Sequence, residues 1–323
     1  MLQTTKTVNG DPVALSDIEA AADRIKPFVR RTPFIRARQE KEPLRKGEVL
    51  LKLENLQATG AFKVRGAVNT IQSLGDDQRA QGVVGASGGN HGIAVAYAAY
   101  RAGTTARVFM PDIAHPDKIE QVKRWGATPI IVGSSWDDAQ DRANEVAVGE
   151  GLTLIHPFAD ETVMAGQGTM GLEMLKQSSH CGTFVISMGG GGLISGVASA
   201  IKQSKPEARI VGVEPVGAPT ISKSLEAGTD ITLPQIETKA VTLAPRRSHP
   251  RNLAIIEKLV DDVVLVDDAE MKSAARWLWQ EFGQAAELSG AAAVAAVATG
   301  RVTAPDDHSI GCVICGSGAD GIG

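Results

Sequence analysis

Four consecutive glycines, Gly189–Gly192, stand between an apolar run that ends at Met188 and a helical pattern that begins at Leu193. Glycine has no reactive side chain, so the chemistry of such a loop lies in its backbone N–H groups. A loop that opens a helix directs several of these donors, and the positive end of the helix dipole, at one point. A tight turn alone needs fewer glycines. The loop therefore predicts a phosphate-binding site, although it matches neither the G-x-G-x-x-G motif nor the P-loop.

A second glycine-rich loop spans residues 85–92 and reads Gly-Ala-Ser-Gly-Gly-Asn-His-Gly. It also follows a strand-like run and precedes a helical one, so it offers another set of backbone donors, suited to a carboxylate. Within it, Asn90 could give its side-chain amide to an aromatic hydroxyl. His91 has a structural alternative, in which the ring simply packs at the start of the helix.

The same loop matches the G-x-S-x-G pattern of a nucleophile elbow, in which Ser87 would be the nucleophile of a serine hydrolase. That reaction needs a histidine and an acid elsewhere in the chain, and His249 with Asp262 or Asp267 could serve. Any chain of this length supplies such residues by chance. We therefore rank the hydrolase below carboxylate binding.

Lys63 follows Phe62 at the start of a predicted helix, after the strand-like run Val49–Leu53 and a turn. A lysine at such a position is usually solvated, and by itself it indicates no chemistry. Together with a phosphate loop and a carboxylate loop, however, it suggests a cofactor that has both a phosphate and an aldehyde. A lysine amine forms a Schiff base with such an aldehyde.

In combination these segments resemble the fold-type II pyridoxal-phosphate enzymes, in particular the threonine/serine dehydratase and serine racemase group. The likeness extends from Arg31 to the C-terminal segment that contains Cys315. Its motifs are Thr-Gly-Ala-Phe-Lys-Val-Arg-Gly-Ala around Lys63, Ser-Gly-Gly-Asn-His at 87–91, the glycines at 189–192 and Ala-Gly-Gln-Gly-Thr at 165–169. The resemblance implies a two-lobed α/β fold of the tryptophan synthase β type, with parallel-rich sheets flanked by helices.

The resemblance also implies roles for the residues at matching positions. Lys63 would hold pyridoxal phosphate as a Schiff base, Phe62 would cover the cofactor ring, and Asn90 would hydrogen-bond the ring hydroxyl. Cys315 would lie beside the pyridine nitrogen, at a position where the family usually has a serine or another small polar residue. The phosphate would be bound by Gly189, Gly190, Gly191, Gly192 and Leu193.

The implied reaction removes water from a β-hydroxy amino acid, by default L-threonine or L-serine, and yields a 2-oxo acid and ammonia. The implied substrate-binding residues are Ser87, Gly88, Gly89, Asn90 and His91. Gly88 departs from the racemases of the group, which usually have a serine there as the acid opposite the lysine. Glycine has no side chain to donate a proton, so we expect dehydration with little racemisation.

Some members of this group bind a divalent cation, Mg or Ca, through an acid, a backbone carbonyl and a second acid. The matching positions are Glu214, Ala218 and Thr220. A hydroxyl is a poorer ligand than a carboxylate. The resemblance thus implies a cation site at Glu214 and Ala218, for which Thr220 is a weak third ligand.

The class of substrate depends partly on Arg246 and Arg247, which lie in a segment that approaches the substrate in relatives. Two arginines could bind a second carboxylate, as in a 3-hydroxyaspartate dehydratase. The structural alternative is a solvated basic loop. Another specialised β-hydroxy amino acid, or a non-catalytic protein that binds pyridoxal phosphate, also stays open, although intact Lys63 argues against the latter.

The loops require a scaffold in which strands alternate with helices, and the apolar pattern predicts one along the whole chain. Several runs are apolar without alternation, which is typical of strands buried in a parallel sheet. The predicted strands are Val49–Leu53, Val83–Ala86, Ala106–Met110, Pro129–Val132, Thr153–His156, Thr183–Met188, Arg209–Glu214, Val263–Val266 and Ser309–Cys315. A capping box at Ser16 predicts a helix to about Val29, and an alanine-rich pattern predicts another from Glu287 to Thr299.

Two changes in composition, at Leu74–Gln81 and at Phe158–Glu161, suggest boundaries between domains. The segment between them has its own series of strands and helices. We therefore expect a small domain at residues 81–157, inserted in a large cofactor-binding domain made of residues 1–80 and 158–323.

Composition excludes several other classes of protein. Only 4% of the residues are aromatic and the net charge is −4, which argues against a surface that stacks bases or binds phosphodiester backbones. The 35 glycines in 323 residues exceed the usual share of roughly 7%, as expected where backbone approaches a ligand. Three cysteines cannot form a disulfide framework, and the single pair Cys312 and Cys315 is a weak zinc signal.

The N-terminal sequence has no apolar core of a signal peptide, and no run of apolar residues is long enough for a membrane span. We therefore expect a cytoplasmic protein that acts on a small-molecule amino acid and binds neither membrane nor nucleic acid. The family resemblance implies a homodimer.

Overall fold

The computed structural model describes residues 10–322. Strands and helices alternate along this part of the chain. The strands are β1 Phe34–Ala37, β2 Val49–Lys52, β3 Val83–Ala86, β4 Ala106–Met110, β5 Thr128–Ile131, β6 Thr153–Leu154, β7 Thr183–Ser187, β8 Arg209–Pro215, β9 Asp262–Val266 and β10 Ile310–Val313. The helices are α1 Leu15–Ile25, α2 Lys63–Ser73, α3 Asp76–Gln81, α4 Asn90–Ala102, α5 Pro116–Arg124, α6 Trp136–Glu150, α7 Glu161–Gln177, α8 Gly192–Ser204, α9 Thr220–Ala227, α10 Pro250–Leu259, α11 Asp268–Phe282 and α12 Leu288–Ala298.

The strands form two sheets. One has six strands in the order β1-β2-β10-β7-β8-β9, and the other has four in the order β5-β4-β3-β6. All neighbouring strands are parallel except β1, which runs antiparallel to β2. The predicted α/β class with parallel-rich sheets flanked by helices is therefore confirmed. Within residues 10–322, no helix combines the length and apolar character that a membrane crossing requires.

Both glycine loops follow the carboxyl ends of strands, where ligands bind in sheets of this kind. The loop at residues 87–89 connects β3 to α4, and the loop at 188–191 connects β7 to α8. The four strands of the smaller sheet lie within residues 81–157. The six strands of the larger sheet lie outside that range. The exact domain boundaries stay a prediction.

Strand β1 was not predicted. Its four residues include Arg36, and a strand at a sheet edge needs no continuous apolar run. It is held by its pairing with β2, in which Phe34 lies opposite Lys52. A partner in space, rather than a local pattern, therefore defines this strand.

The predicted start of α1 was wrong. The helix begins after Ala14, which makes no side-chain capping bond, and it ends at Ile25 rather than near Val29. Pro27 lies just beyond the end, where proline is common because it cannot extend a helix. The apparent capping box at Ser16 therefore lies within the first turn and does not form the cap.

Helix α12 packs against the larger sheet and determines where its own N-terminus lies. Its residues from Leu288 to Val297 are all buried, and most of them are alanine or valine. The helix contacts β7, β8, β9 and β10. Small side chains allow a helix to pack closely against a sheet. The N-terminus of α12 is thereby held near the ends of β7 and β10, which matters for Glu287 below.

Four charged side chains form a group that we call the buried ion cluster. They are Lys52, Glu54, Arg65 and Glu173. Arg65 donates through Nε to Glu54 Oε2 at 2.8 Å and through Nη1 to Glu173 Oε1 at 2.9 Å. Lys52 Nζ donates to Glu173 Oε2 at 2.6 Å. Two positive and two negative charges thus balance, and they join β2, the turn at Glu54, α2 and α7.

Candidate active site

Lys63 is the first residue of α2, and its side chain is partly buried. Nζ donates a hydrogen bond to the carbonyl oxygen of Pro157 at 2.6 Å and lies 5.1 Å from the centre of the Phe62 ring. Burial lowers the pKa of the Lys63 amine to about 8. A larger share of the amine is then neutral at physiological pH, which is the form that attacks an aldehyde or accepts a proton.

The backbone around Lys63 is attached to the end of β10. The amide of Phe62 donates to the carbonyl oxygen of Cys315 at 3.0 Å, and Ala61 forms an antiparallel bridge with Gly316. Two residues after the lysine, Arg65 enters the buried ion cluster. The position of Lys63 is therefore determined by the large sheet on one side and by the cluster on the other.

Residues 189–193 form the predicted phosphate cradle. In the part of the chain that the structure describes, none of the amides from Gly189 to Leu193 donates a hydrogen bond to a protein acceptor. Gly191 has φ of +89°, a left-handed conformation that favours glycine, and it caps the N-terminus of α8. Unengaged amides at the positive end of a helix are the donors that a phosphate requires.

The cradle is also held in shape from outside. Asn252 Nδ2 donates to the carbonyl oxygens of Gly190 at 2.7 Å and of Phe158 at 3.0 Å. A Cβ atom at Gly190 would lie 2.4 Å from the Phe158 ring, and one at Gly192 would lie 2.6 Å from the Phe158 carbonyl oxygen. Larger residues cannot be accommodated at these positions. The residues present therefore fit the phosphate of pyridoxal phosphate.

The second loop presents a similar set of donors at the N-terminus of α4. Ser87 uses its amide on the carbonyl oxygen of Phe109, and its Oγ accepts from the amide of Gly89 at 3.0 Å. The amides of Gly88, Asn90 and His91 donate to no protein acceptor within residues 10–322. These three amides suit a carboxylate, as the sequence predicts.

The ring of His91 has a structural role. Its Nε2 lies 2.9 Å from the carbonyl oxygen of Ile155, and burial lowers its pKa to about 3. The ring is therefore neutral and is held against the strand end of β6. This matches the packing alternative for the side chain, while the backbone amide of His91 stays a candidate for substrate binding.

The side chain of Asn90 is held by hydrogen bonds to one residue on α5 and to one residue at the start of α12. Lys118 on α5 donates to Asn90 Oδ1 at 2.9 Å, and Asn90 Nδ2 donates to Glu287 Oε1 at 2.9 Å. These two bonds determine which way the amide faces, since one partner can only donate and the other accepts. One N–H of Asn90 is left for a further acceptor, such as the ring hydroxyl of the cofactor.

Glu287 is a site residue that the sequence analysis missed. It precedes α12 and is buried, with 7% of its surface exposed, and it accepts from Thr242 Oγ1 at 3.0 Å as well as from Asn90. Burial raises the pKa of the carboxyl to about 7, against the opposing effect of Lys118. Its only sequence signal was its position as an acid directly before an apolar helix, which resembles an ordinary helix start.

Cys315 is buried, and its Sγ lies 3.4 Å from the carbonyl oxygen of Ser289 in α12. Burial is the main cause that raises the pKa of the thiol above its usual range, so the group stays a neutral thiol. Ser187 Oγ donates to the same carbonyl at 3.0 Å. A neutral, weakly polar group of this kind is what the resemblance implies beside the pyridine nitrogen.

The structure does not assemble the alternative sites. Ser87 Oγ accepts from Gly89, while His249 Nδ1 accepts from the amide of Arg251, Asp262 pairs with Arg209, and Asp267 caps α11. Each proposed member of the hydrolase triad therefore has a different partner, and the hydrogen bonds of a triad are not formed between them. Cys312 and Cys315 are both buried, and among residues 10–322 they belong to no group of three metal-ligating side chains.

The predicted Mg or Ca ion at Glu214 and Ala218 finds no support. Both oxygens of Glu214 are taken by the N-terminus of α9, with Oε1 accepting from the amide of Ile221 at 2.7 Å and Oε2 from the amide of Ser222 at 2.8 Å. Thr220 Oγ1 donates to the carbonyl oxygen of Pro245 at 2.7 Å. Within residues 10–322 no three His, Cys, Asp or Glu side chains cluster as metal ligands. The residues therefore do not fit a cation.

We expect Glu287 to make stability depend on pH. Its folded pKa of about 7 exceeds its ordinary value of 4.5, so the folded protein pays for ionisation of a buried carboxyl as pH rises through this range. The free energy of unfolding should fall by up to about 3 kcal/mol from this group between pH 4.5 and 7. Glu287→Gln cannot ionise and should lose this contribution.

Urea denaturation of the parent protein and of Glu287→Gln at several pH values measures this difference. Glu214, whose pKa burial also raises to about 7, is present in both proteins and cancels. A difference between the two proteins that stays constant from pH 4.5 to 7 would contradict the assignment.

Comparisons with known proteins agree with this geometry. Residues 25–316 match the family model described as pyridoxal-phosphate dependent enzyme. The catabolic L-threonine dehydratase of Staphylococcus aureus (strain N315) is 37% identical over 302 residues, covering 93% of this chain and 87% of the relative.

Two solved structures are also similar. Maize serine racemase has a TM-score of 0.89 and 36% identity, covering 94% of this chain and 93% of the other. Isoform 2 of threonine deaminase from Solanum lycopersicum, in its processed form, has a TM-score of 0.89 and 31% identity, covering 99% of this chain and 94% of the other. The chain thus resembles both dehydratases and a racemase, and the residues of the site have to distinguish them.

Proposed function

The chain belongs to the pyridoxal-phosphate dependent enzyme family, and we propose that it is a dehydratase that converts L-threonine or L-serine to a 2-oxo acid and ammonia. One observation carries the proposal. The amine of Lys63, with its lowered pKa, stands in a site that also contains two sets of unengaged backbone amides, one for a phosphate and one for a carboxylate. The catabolic threonine dehydratase among the relatives supports the same reaction.

Pyridoxal phosphate, when bound, supplies an electron sink for negative charge at the substrate's α-carbon. In our proposal the amides of Gly189–Leu193 hold its phosphate and Asn90 hydrogen-bonds its ring hydroxyl. Phe62 would cover the ring, and the Cys315 thiol would lie beside the ring nitrogen. A thiol cannot hold a proton on that nitrogen as a carboxylate would, so the sink is weak and elimination is favoured over reactions that need a long-lived carbanion.

The chain's own residues then position and deprotonate the substrate. The amides of Gly88, Asn90 and His91 bind the α-carboxylate, which orients the α-hydrogen. Lys63, whose pKa lies near neutral, accepts the α-proton. Loss of the β-hydroxyl as water leaves an unsaturated amino acid. Hydrolysis of this product gives the 2-oxo acid and ammonia.

Gly88 favours a dehydratase over a racemase. Inversion at the α-carbon requires a proton donor on the face opposite Lys63, and Gly88 has no side chain. A Cβ atom placed there would lie 3.4 Å from Ala114 Cβ and from Pro111 Cδ, neither of which can donate a proton.

A homodimer and a cytoplasmic location, both implied earlier, remain part of the proposal.

The experiment incubates the purified protein with pyridoxal phosphate and either L-threonine or L-serine. We expect 2-oxo acid and ammonia in equal amounts, measured by separate enzymatic assays. Chiral chromatography of the serine reaction should show D-serine forming at least about tenfold more slowly than pyruvate, since general acid catalysis is typically worth 10²–10⁴-fold.

A protein that binds pyridoxal phosphate but forms no 2-oxo acid from either amino acid would contradict the dehydratase. D-serine that forms as fast as pyruvate would instead contradict the role given to Gly88.

A further inference from the structure

The Ala-Gly-Gln-Gly-Thr segment at residues 165–169 has no part in the site described so far, although the sequence singles it out. It lies within α7, and its side chains offer no obvious catalytic group. We propose that α7, through Gly166 and Gly168 of this segment, sets the separation between Lys63 and the phosphate cradle. The inference rests on the roles that the proposed function gives to Lys63 and to the cradle.

The separation matters because pyridoxal phosphate has two points of attachment on one rigid ring. The ring fixes the distance between the aldehyde carbon and the carbon that carries the phosphate group. The protein must therefore hold the Lys63 amine and the cradle amides at one matching separation. Lys63 is the first residue of α2, and the cradle leads into α8, which begins at Gly192. The relative position of α2 and α8 thus decides whether both attachments can form together.

Helix α7 is the element that connects α2 to α8. It packs extensively against each of them, whereas α2 and α8 make no extensive contact with each other in the described part of the chain. Residues two positions apart on a helix point to different sides, so Gly166 and Gly168 can face two different neighbours. One helix can therefore position both of the others.

The side of α7 that faces α2 makes a close helix crossing. A Cβ atom at Gly166 would lie 2.6 Å from the carbonyl oxygen of Arg65 and 2.6 Å from Gly66 Cα. One turn further along the same side, Thr169 Oγ1 accepts from Arg65 Nη1 at 3.1 Å. After another turn, Glu173 accepts from the same guanidinium at 2.9 Å. Backbone contact and side-chain hydrogen bonds thus both hold the first turn of α2.

The side of α7 that faces α8 makes a second close crossing. A Cβ atom at Gly168 would lie 2.9 Å from the carbonyl oxygen of Gly196, and one at Gly196 would overlap the carbonyl oxygen of Met164. One turn after Gly168, a Cβ atom at Gly171 would lie 3.0 Å from Ala200 Cβ. Because Gly196 is four residues into α8, this crossing lies about one helical turn from the cradle.

Backbone conformation does not explain the glycines at the two crossings. Gly66, Gly166, Gly168 and Gly196 all lack a positive φ, and glycine within a helix is destabilising relative to alanine. What offsets this cost is the close approach of the helices, which a side chain at these positions would prevent. These positions therefore specify the distances from α7 to α2 and to α8, and through them the separation of the lysine from the cradle.

The test compares the binding of pyridoxal phosphate with that of pyridoxamine phosphate, which has the same ring and phosphate but no aldehyde. The first compound uses Lys63 and the cradle together, whereas the second uses the cradle without a bond to the lysine. Equilibrium dialysis of the holoenzyme gives the dissociation constant of pyridoxal phosphate, and competition gives that of pyridoxamine phosphate. A changed separation therefore has a signature that a general loss of stability does not have.

Gly166→Ala should weaken pyridoxal phosphate binding by about tenfold or more and pyridoxamine phosphate binding by less than about threefold, since a misplacement of about 1 Å can cost oriented groups about 10²-fold. The methyl group must open the α2 crossing from 2.6 Å to the 3.4 Å at which ordinary contact begins, which moves Lys63 relative to an unchanged cradle. Gly168→Ala moves the cradle instead, so both dissociation constants should rise together, by about threefold or more.

Met174→Ala is the matched control, since it removes a buried side chain from α7 without adding an atom at either crossing. It should lower the unfolding temperature and leave both dissociation constants unchanged. The inference is overturned if Gly166→Ala raises both constants equally or raises neither. It is also overturned if Gly168→Ala spares pyridoxamine phosphate, or if Met174→Ala raises the constants as much as the glycine variants do.

Should Gly166→Ala fail to fold, Thr169→Val tests the same side of α7 without adding bulk. It removes one acceptor of Arg65, so it should weaken the binding of pyridoxal phosphate and not that of pyridoxamine phosphate. Equal weakening of both compounds, or of neither, would again overturn the inference.

The proposed function is judged separately, on the unaltered protein. If borohydride attaches no cofactor to Lys63 there, the role of the lysine fails, whatever the variants do. If the cofactor is attached there and the two compounds respond alike to Gly166→Ala, only the role of α7 fails.

Discussion

Lys63→Ala lowers kcat/KM for 2-oxo acid formation by roughly 10³-fold or more, since both covalent attachment of the cofactor and removal of the α-proton are lost. The expectation follows from position. Lys63 opens α2, its amine has a pKa of about 8, and it is the amine of the site nearest the Pro157 carbonyl and the Phe62 ring. An alanine methyl group can neither bind an aldehyde nor accept a proton.

Two measurements check this prediction. Steady-state assays give the loss of activity, and borohydride reduction followed by peptide mass analysis shows whether the cofactor becomes attached at residue 63. Lys258→Ala removes an exposed lysine that pairs with Asp11 on the surface, and it should retain both properties. Activity of Lys63→Ala above a tenth of the parent's, or cofactor attached elsewhere at full yield, would show that another residue is responsible.

Arg65→Leu lowers the free energy of unfolding by about 3–5 kcal/mol, because it breaks the buried ion cluster from the positive side. Arg65 and Glu54 are both inaccessible to solvent, and the guanidinium donates to Glu54 and to Glu173. Without it, the carboxylate of Glu54 is left buried beside the hydroxyl of Thr32, and no other cation in the described part of the chain forms a salt bridge with it. The cost comes from the stranded charge more than from the lost attraction.

Urea denaturation at a fixed cofactor concentration measures this loss. Arg107→Leu serves as a matched control, since Arg107 pairs with Glu150 on the surface and its removal should have a small effect. The double variant Arg65→Leu with Glu54→Leu should be more stable than Arg65→Leu alone, because it removes the stranded carboxylate. Equal losses in Arg65→Leu and Arg107→Leu would contradict the account of the cluster.

The parts of the structure that depend on local pattern were predicted from the sequence. Apolar runs such as Val83–Ala86 and Thr183–Ser187 indicate strands of a parallel sheet because both of their faces are buried. The two glycine loops were predicted because several adjacent glycines are difficult to explain without a backbone that approaches a ligand. The role of Lys63 was suggested only by its combination with those two loops and by the family resemblance, since a single lysine at a helix start has no distinctive pattern.

The parts that depend on contacts between distant residues were missed. Glu287 contacts Asn90, which is 197 positions away in the chain, and no pattern near either residue indicates the other. The buried ion cluster joins Lys52 to Glu173 across 121 positions in the same way. The cation at Glu214 failed for a related reason: the resemblance shows an acid at that position, but the neighbouring helix that uses its oxygens is visible only in three dimensions.

The two sets of unengaged amides have a consequence for how such proteins diverge. A backbone amide is present whatever side chain its residue carries, so ordinary substitutions cannot delete these donors, and only proline lacks one. What selection must preserve is the path of the main chain, at positions such as Gly190 where a Cβ atom would meet Phe158. In the proposed function, recognition of the phosphate and of the carboxylate can then be inherited almost unchanged, while the residues that contact the substrate's side chain vary and the range of accepted amino acids evolves separately.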